Sequence, residues 1–512
     1  MTRILFYSPA NLNKVDGSSI WVQSVAETLH VSPTTEIVLP LRAPEQRDLI
    51  TSLLRRLPRV ELIPAQRAVR RKVGPNGIAT NEVLSLIERL DREKPFDVIL
   101  IRSFEVAQAA ARSQRLRDRL WSTYVLEPER DPESPVHLRE LAEIATGSRY
   151  LVAQSEEMRA LTEALVPAAR GKTILLPPAI PAEPARRADP DRIVPRLIYT
   201  GKFSPFYPVN RMIEFYQELR TEIPGLEFHV VGDKIHRPRE DPAYAPAIER
   251  ALTGTDGVVW HGGIPRDQVE RLVAEGGVAL SLWDYRHGSR MNDLVISTKL
   301  LDYASVGVPV ILNRTAAQET VLGPDYPLFV SRVDDALPLL RRTLADPALY
   351  RQAAERTYAG SRPFTYPNVF ARIAPFLGDA EASSGELLAR AKLPGAERNV
   401  GVLGTAAEPD QLAATLALAA ALGAHDERFR LIVAAPPPPG RPSEALRLTF
   451  EPAVDLANWL RLVGPVIVAP DDAPSAAQVA AAGSTPIVLG QPEAAVAAVL
   501  ASVGASHPGS AA

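Results

Sequence analysis

Between Ser297 and Ile311 the chain reads STKLLDYASVGVPVI, a stretch whose residue types could hold an anion. Ser297 and Thr298 are N-capping residues, and Leu300, Leu301 and Ala304 recur at helical spacing. Gly307 and Pro309 suit the end of that helix, and Val308 to Leu312 reads as a short central strand. The first turn of a helix leaves backbone N–H groups unbonded and carries a partial positive charge, which makes it a phosphate site. Lys299 adds a full charge there, and Asp302 follows three residues on, along the same face. Amides and Lys299 for phosphates, with a carboxylate for ribose hydroxyls, suit a nucleoside diphosphate. The same pattern also fits an ordinary capped helix with a surface Lys–Asp pair.

The elements that must position this stretch come in alternating series. Arg3 to Ser8 predicts a buried strand, NLNKVDGSS a loop, and Ile20 to Leu29 a helix. Such an opening is Rossmann-like, but it lacks G-x-G-x-x-G, so a dinucleotide fingerprint is not supported. Strands are predicted at Glu36–Pro40, Val60–Ile63, Asp97–Arg102, Ser122–Leu126, Tyr150–Ala153 and Thr173–Leu176. Helices fall between them, notably Glu82–Glu93, Val136–Ala145 and Ser155–Leu165. Pro177 to Pro195, rich in Pro and Ala, reads as an interdomain linker. A second series follows, with strands at Arg196–Thr200, Glu227–Val231, Val258–His261 and Val278–Leu282. Strands separated by helices predict parallel sheets covered on both faces, with ligands outside the carboxyl ends of the strands. Lys202, Asp233, Gly263 and the helix start at 297–302 all follow strand ends, so they are expected on one rim.

Composition narrows the function. A chain of 512 residues with 46% hydrophobic content can fill several cores, and at roughly 150 residues per domain about three are expected. A net charge of -3 argues against general nucleic-acid binding. With no cysteine, disulfides, thiolate metal sites and thiol nucleophiles are excluded. The N-terminus is too short in apolar residues for a signal peptide, and no run approaches a membrane span, so a cytoplasmic protein is expected. Paired glycosidase-type carboxylates are hard to locate, and no G-x-S-x-G elbow appears. Asp131, Glu133 and His137 form the nearest thing to a metal cluster; no metal site is expected.

Taken together, GKF after a strand, VVGD about thirty residues on, HGGIPRDQV, and STKLLDYASVGVPVI followed by Glu319 resemble the pattern of glycosyltransferase family 4. The resemblance covers roughly residues 1 to 375 and is strongest over 196–330. It implies the GT-B fold, two Rossmann-like domains facing a cleft. It implies a retaining, metal-independent transfer from a nucleotide-sugar, UDP- or GDP-linked, to an acceptor hydroxyl, with no further cofactor. Lys202 matches the basic residue that neutralises the diphosphate, Asp302 the second glutamate of the family's pair, and Gly17 the glycine that admits the donor. Three positions depart from the pattern. Leu294 stands where the first glutamate belongs, with Asp293, Asn292 or Asp284 as substitutes. The second basic residue after Lys202 is missing from SPFYPVN. The histidine expected near position 126 gives way to EPERDP, where Glu127 and Glu129 are candidates to face the sugar or acceptor. A nucleotide-sugar epimerase and a non-catalytic binding or scaffold subunit are the competing readings.

Other features complete the expectation. Arg55, Arg56, Arg59, Arg67, Arg70, Arg71 and Lys72 form a basic cluster, either a solvated face or a contact with anionic membrane or a lipid-linked acceptor. Trp283, Tyr285, Arg286 and His287 are placed to cover a sugar or base, and Asp16 is a turn residue or an acceptor contact. The predicted domains are 1–185 for the acceptor, which is a glycan, a lipid-linked molecule or a small molecule, and 194–361 for the donor, with 362–378 returning to the first domain. Residues 395–512 read as a shortened, degenerate copy of the donor domain, with Ser475 against Lys299 and Gln478 against Asp302. That third domain is expected to bind no donor and to serve packing, homo-oligomerisation or partner docking.

Overall fold

The computed structural model describes residues 1–69, 73–74, 77–123, 135–287, 290–377 and, further on, 399–403, 417–418, 421–422, 430–433, 448–450, 465–468, 476–477, 479–480, 485–488 and 492–505. It contains three parallel sheets. The first has seven strands, β1 (Thr2–Tyr7), β2 (Thr35–Pro40), β3 (Val60–Ile63), β4 (Val98–Arg102), β5 (Leu120–Thr123), β6 (Tyr150–Ala153) and β7 (Thr173–Leu175), in the order β3-β2-β1-β4-β5-β6-β7. The second comprises β8 (Arg196–Thr200), β9 (Glu227–Val231), β10 (Val258–Trp260), β11 (Val278–Ser281), β12 (Val310–Asn313) and β13 (Phe329–Val330), in the order β10-β9-β8-β11-β12-β13. Both are doubly wound, with the order reversing beside the first strand of each series. That reversal opens a crevice at the carboxyl ends. Continuous apolar runs such as Val98–Ile101 and Val278–Leu280 are buried on both faces, as parallel strands between helices must be.

Packing divides the chain into two units, Met1–Glu129 with Gly147–Ser155 and Leu175–Gly378, and Arg130–Thr146 with Glu156–Ile174 and Asp379–Ala512. Apart from the start of β7, the first two sheets lie in the first of these units. The Pro-rich segment after 177 is no loose tether. Ala179, Ile180 and Ala188 are buried, the Ala188 amide donates to the Val306 carbonyl at 2.8 Å, and Ser24 Oγ donates to the Ala179 carbonyl at 2.9 Å. Proline content signals a lack of regular hydrogen bonding, and that is compatible with an extended segment wedged into a core. The helix Tyr366–Ile373 packs on the helix Gly17–His30, and the Tyr366 amide donates to the Ile180 carbonyl at 2.8 Å.

In the second unit, β14 (Asn399–Leu403), β15 (Arg430–Val433), β16 (Leu448–Phe450), β17 (Pro465–Val468) and β18 (Thr485–Val488) form a parallel sheet ordered β16-β15-β14-β17-β18. Val400, Val402, Leu431, Ile467 and Val499 build its core. This order matches the first five strands of the second sheet. It is the common doubly wound order, so it speaks for architecture and not for common descent. Ser475 and Gln478, the proposed counterparts of Lys299 and Asp302, lie outside the described residues.

Local chemistry explains where elements begin and end. The first helix starts at Gly17, earlier than its apolar pattern, because Asp16 caps it: Oδ1 accepts from the Ser18 amide at 2.9 Å and the Ser19 amide at 3.1 Å. The strand expected at Ser122–Leu126 is observed at Leu120–Thr123, and 124–126 lie outside the described residues. After the helix Thr298–Ser305 the chain turns through Gly307 at φ 77°, a left-handed conformation suited to glycine, before entering β12.

Candidate active site

The helix Thr298–Ser305 begins beside the carboxyl end of β8, and one side chain fixes that placement. Tyr303, fully buried, accepts a hydrogen bond at its hydroxyl from the Thr200 amide at 2.7 Å and lies 2.9 Å from Thr200 Oγ1. The end of β8 is thereby tied to the second turn of the helix. Gly201 follows with φ 139°, and a Cβ there would sit 2.8 Å from Lys299 Cε. The positive φ calls for glycine, and the missing Cβ lets the Lys299 stem lie against the backbone. The next residue is Lys202, whose carbonyl accepts from Tyr199 Oη at 2.5 Å.

The two lysines converge on one ring. Lys299 Nζ lies 4.0 Å from the Tyr207 ring centre and Lys202 Nζ lies 5.4 Å from it. Cations over an aromatic face are held by its quadrupole, which offsets part of their mutual repulsion. Burial first, and then the charge of Lys202, push the Lys299 ammonium down to about 7, against a smaller opposing pull from Asp302. Two cations crowded into a partly dehydrated site are the electrostatic complement of a diphosphate.

Ser297 occupies the cap position of the helix, but its side chain makes no capping hydrogen bond. The amides of the first turn therefore have no partner from that hydroxyl. Thr298 faces the start of the first helix: a Cβ on Gly17 would lie 3.5 Å from Thr298 Oγ1. Lys202, Lys299, Thr298 and Gly17, predicted from three places in the sequence, thus occur at two adjoining helix starts and a strand end.

Asp233 and Gly263 form a second group. A Cβ on Gly263 would come within 2.5 Å of Asp233 Oδ2, so the glycine makes space for that carboxylate. Asp233 Oδ2 also accepts from Arg47 of the first half at 2.5 Å. Next to it, Lys234 pairs with Asp16 at 2.5 Å. Burial opposes ionisation of Asp16, but Lys234 and the two capping amides outweigh it and hold the carboxyl below its usual range.

Asp302, on the same helix, is engaged by an arginine. Its Oδ1 accepts two bonds from Arg266, from Nε at 3.0 Å and from Nη2 at 2.6 Å. Arg266 reaches on to Tyr366 Oη at 3.1 Å and to the Ala179 carbonyl at 3.3 Å. Burial would lower the guanidinium's affinity for its proton, yet Asp302 and Tyr366 reverse the effect and raise it. Through Arg266, Asp302 thus ties the helix Thr298–Ser305 to the wedged segment and to the helix Tyr366–Ile373.

The carboxyl ends of β8, β9, β11, β12 and β13 line a cavity of about 1340 Å³. Trp283, Tyr285, Arg286 and His287 all border it, as does Phe206, stacked on Trp283 with centroids 5.8 Å apart. Of the substitutes considered for the glutamate missing at Leu294, Asp284 borders this cavity but is bound by the Arg286 guanidinium, 2.6 Å from its Nη2. Arg286, followed by burial in the opposite direction, keeps Asp284 below the usual carboxylate range. Asp293 accepts from Tyr285 Oη, and the Leu294 carbonyl accepts from Ser155 Oγ.

Glu127, Glu129, Asp131 and Glu133 lie outside the described residues, as do Arg70, Arg71 and Lys72. Elsewhere in the basic cluster, Arg55 pairs with Glu45 and Arg67 with Glu93, while Arg59 donates to the Thr35, His30 and Ser32 carbonyls. Among the described residues no three His, Asp or Glu side chains are grouped as metal ligands would be. No helix among them is long and apolar enough to cross a membrane.

Four functional candidates escaped sequence reasoning. Tyr207 sits in SPFYPVN, which reads only as a segment lacking a basic residue. Lys234 follows Asp233 at a strand end, a position that could have drawn notice. Arg47 and Arg266 show nothing in sequence that points to their partners.

Residues 211–373 match the family model described as "Glycosyl transferase-like". No curated protein matches the chain. Among solved structures, HepE of Anabaena in complex with UDP and glucose aligns with a TM-score of 0.55 at 14% identity, over 74% of this chain and 99% of that one. Sucrose-phosphate synthase of Thermosynechococcus elongatus aligns with a TM-score of 0.55 at 14% identity, over 73% and 98%. A TarM variant of S. aureus in complex with fondaparinux, α-GlcNAc-glycerol and UDP gives 0.54 at 8% identity, over 74% and 100%. At such identities the likeness is one of fold, and that fold is GT-B.

Proposed function

We propose that the chain is a glycosyltransferase that moves a sugar from a nucleotide-sugar donor to an acceptor hydroxyl in glycan or glycoconjugate biosynthesis. The observation that carries this reading is the convergence of Lys202 and Lys299 over Tyr207, at a helix start whose capping side chain makes no capping bond. When the bond between the anomeric carbon and the diphosphate oxygen breaks, its electron pair passes to that oxygen. The acceptor oxygen forms the new bond, and its proton leaves with the departing diphosphate. Charge accumulates on the phosphates, and fixed cations and amides aimed there stabilise the transition state. The family-model match over 211–373 supports the same reading.

Finer features belong to the proposal as well: family 4 chemistry, retention of configuration, no metal or cofactor, and a cytoplasmic site of action. UDP is the first nucleotide to test, because HepE is described with UDP and with UDP-glucose. The large aromatic-edged cavity beyond β11 would take the nucleoside and sugar. Peripheral membrane contact through Arg55–Lys72 is a weaker element, since Arg55 and Arg67 are paired within the molecule. Residues 395–512 would serve assembly and not donor binding.

Thermal shift with UDP, GDP and ADP, then with the corresponding sugars, tests the proposal. Stabilisation by one nucleotide and release of that nucleotide from its sugar are expected; no response to any of the three would refute it. A second reading, donor binding without turnover, draws on Leu294 in place of a glutamate and on Asp302 being held by Arg266. Stabilisation with no nucleotide release would select it.

A further inference from the structure

A second, cationic space of about 350 Å³ lies beside the start of the first helix. It opens at the carboxyl ends of β1 and β4 and beside Arg42, which follows β2, with Lys234 reaching in from the end of β9. Among the described residues Lys14, Arg42, Arg102 and Lys234 line it, with Asp16 as the one carboxylate. That carboxylate is already engaged by Lys234 and by the amides it caps. Arg102 is only 8% exposed and is fixed by Ser18 Oγ at 3.1 Å and by the Trp21 face at 5.1 Å. Arg42 is anchored through Nη1 to the Pro9 carbonyl at 3.1 Å. Two immobilised guanidinium forks and two ammonium groups around a small cavity form a receptor for a tetrahedral oxyanion.

Asp16 and Ser18 border the cavity, and Gly17 between them faces Thr298 at the start of the helix that carries Lys299. An anion seated here would therefore place the rest of its molecule near the diphosphate, where the new bond forms.

We propose that this cavity takes an anionic group of the acceptor, so that the acceptor is a phosphate-bearing alcohol and not a neutral sugar. The inference rests on the glycosyl-transfer reading and names the acceptor class. The phosphate belongs either to a soluble phosphoester or to a lipid headgroup.

The test uses the full chain saturated with UDP. Calorimetry with glycerol 3-phosphate and with glycerol separates charge from the polyol, and flotation with phosphatidylglycerol or phosphatidylcholine vesicles separates the lipid source. Binding of glycerol 3-phosphate or of phosphatidylglycerol vesicles, without response to the neutral probes, is expected. Lys14→Gln and Arg42→Gln should each weaken that binding about tenfold while leaving UDP affinity unchanged. Lys14 is exposed, so its variant reports without risk to folding. UDP binding with no response to either phosphate probe overturns the acceptor inference and leaves the transferase reading standing. Competition between glycerol 3-phosphate and UDP also overturns it, because the cavity would then belong to the donor. Failure of UDP to bind the native chain overturns both.

Discussion

The ammonium of Lys299 rests 4.0 Å from the centre of the Tyr207 ring, with Lys202 over the same ring at 5.4 Å. In the absence of an anion this is a costly arrangement. Burial and a like charge both disfavour the protonated lysine, which the aromatic face compensates only in part.

Removing that cost gives the first prediction. Lys299→Met keeps the stem against Gly201 and deletes the charge. The unliganded protein should melt higher at pH 6, while affinity for UDP falls by about tenfold to a hundredfold. Calorimetry and a melting curve on the same sample check both. A variant that binds UDP as tightly as the parent would place the diphosphate elsewhere.

Proton linkage gives the second. Lys299 is held near 7 in the free fold, against 10.5 for an ordinary lysine. Between these values the unfolded chain binds a proton that the folded chain does not, so stability rises with pH across that window; below about 7 the penalty is complete. A bound diphosphate raises the lysine again. UDP affinity should therefore be greatest below about pH 7 and fall by up to about tenfold per unit above it. The measurement is a series of UDP titrations from about pH 7 to pH 9, where the terminal phosphate is already ionised. Lys299→Met should flatten the profile.

Asp302 supplies the third. If it works as the anchor of Arg266, Asp302→Asn leaves a nearly buried guanidinium short of its counter-charge and costs about 3 kcal/mol. The double variant Arg266→Met/Asp302→Leu should recover most of that loss in a denaturant titration. If Asp302 served ribose alone, the single variant would weaken UDP binding and leave the unfolding midpoint unmoved.

Gly201 supplies the fourth, with a built-in control. An alanine there would strain a φ of 139° and press on Lys299 Cε. At Gly225 an alanine meets a milder strain, at φ 74° near the left-handed region, and has no heavy atom within 4 Å. Both substitutions should cost about 1 kcal/mol or more in stability. Only Gly201→Ala should also lower UDP affinity, by about tenfold.

Much of the second sheet and its rim was legible in the sequence. The apolar run of β8 and the Lys-bearing start at Thr298 are local patterns. Parallel strands carry their carboxyl ends to one rim, so Lys202 and Lys299 had to be neighbours once the sheet formed. Gly307 ended its helix for an equally local reason, a left-handed φ. The wedged segment after Pro177 was harder to read, because proline content reports missing backbone donors and says nothing of burial.

By itself, then, the sequence determined the alternation of elements, the sheets they build and the rim on which the cations stand, since periodicity and turn chemistry act over a few residues. The tertiary structure alone decided which charges pair with which. Asp302 went to Arg266, 36 residues away, and Asp16 to Lys234, 218 residues away. Such pairings depend on side-chain direction across packed elements, and Coulomb energy at contact distance makes them decisive, while spacing along the chain carries no record of them.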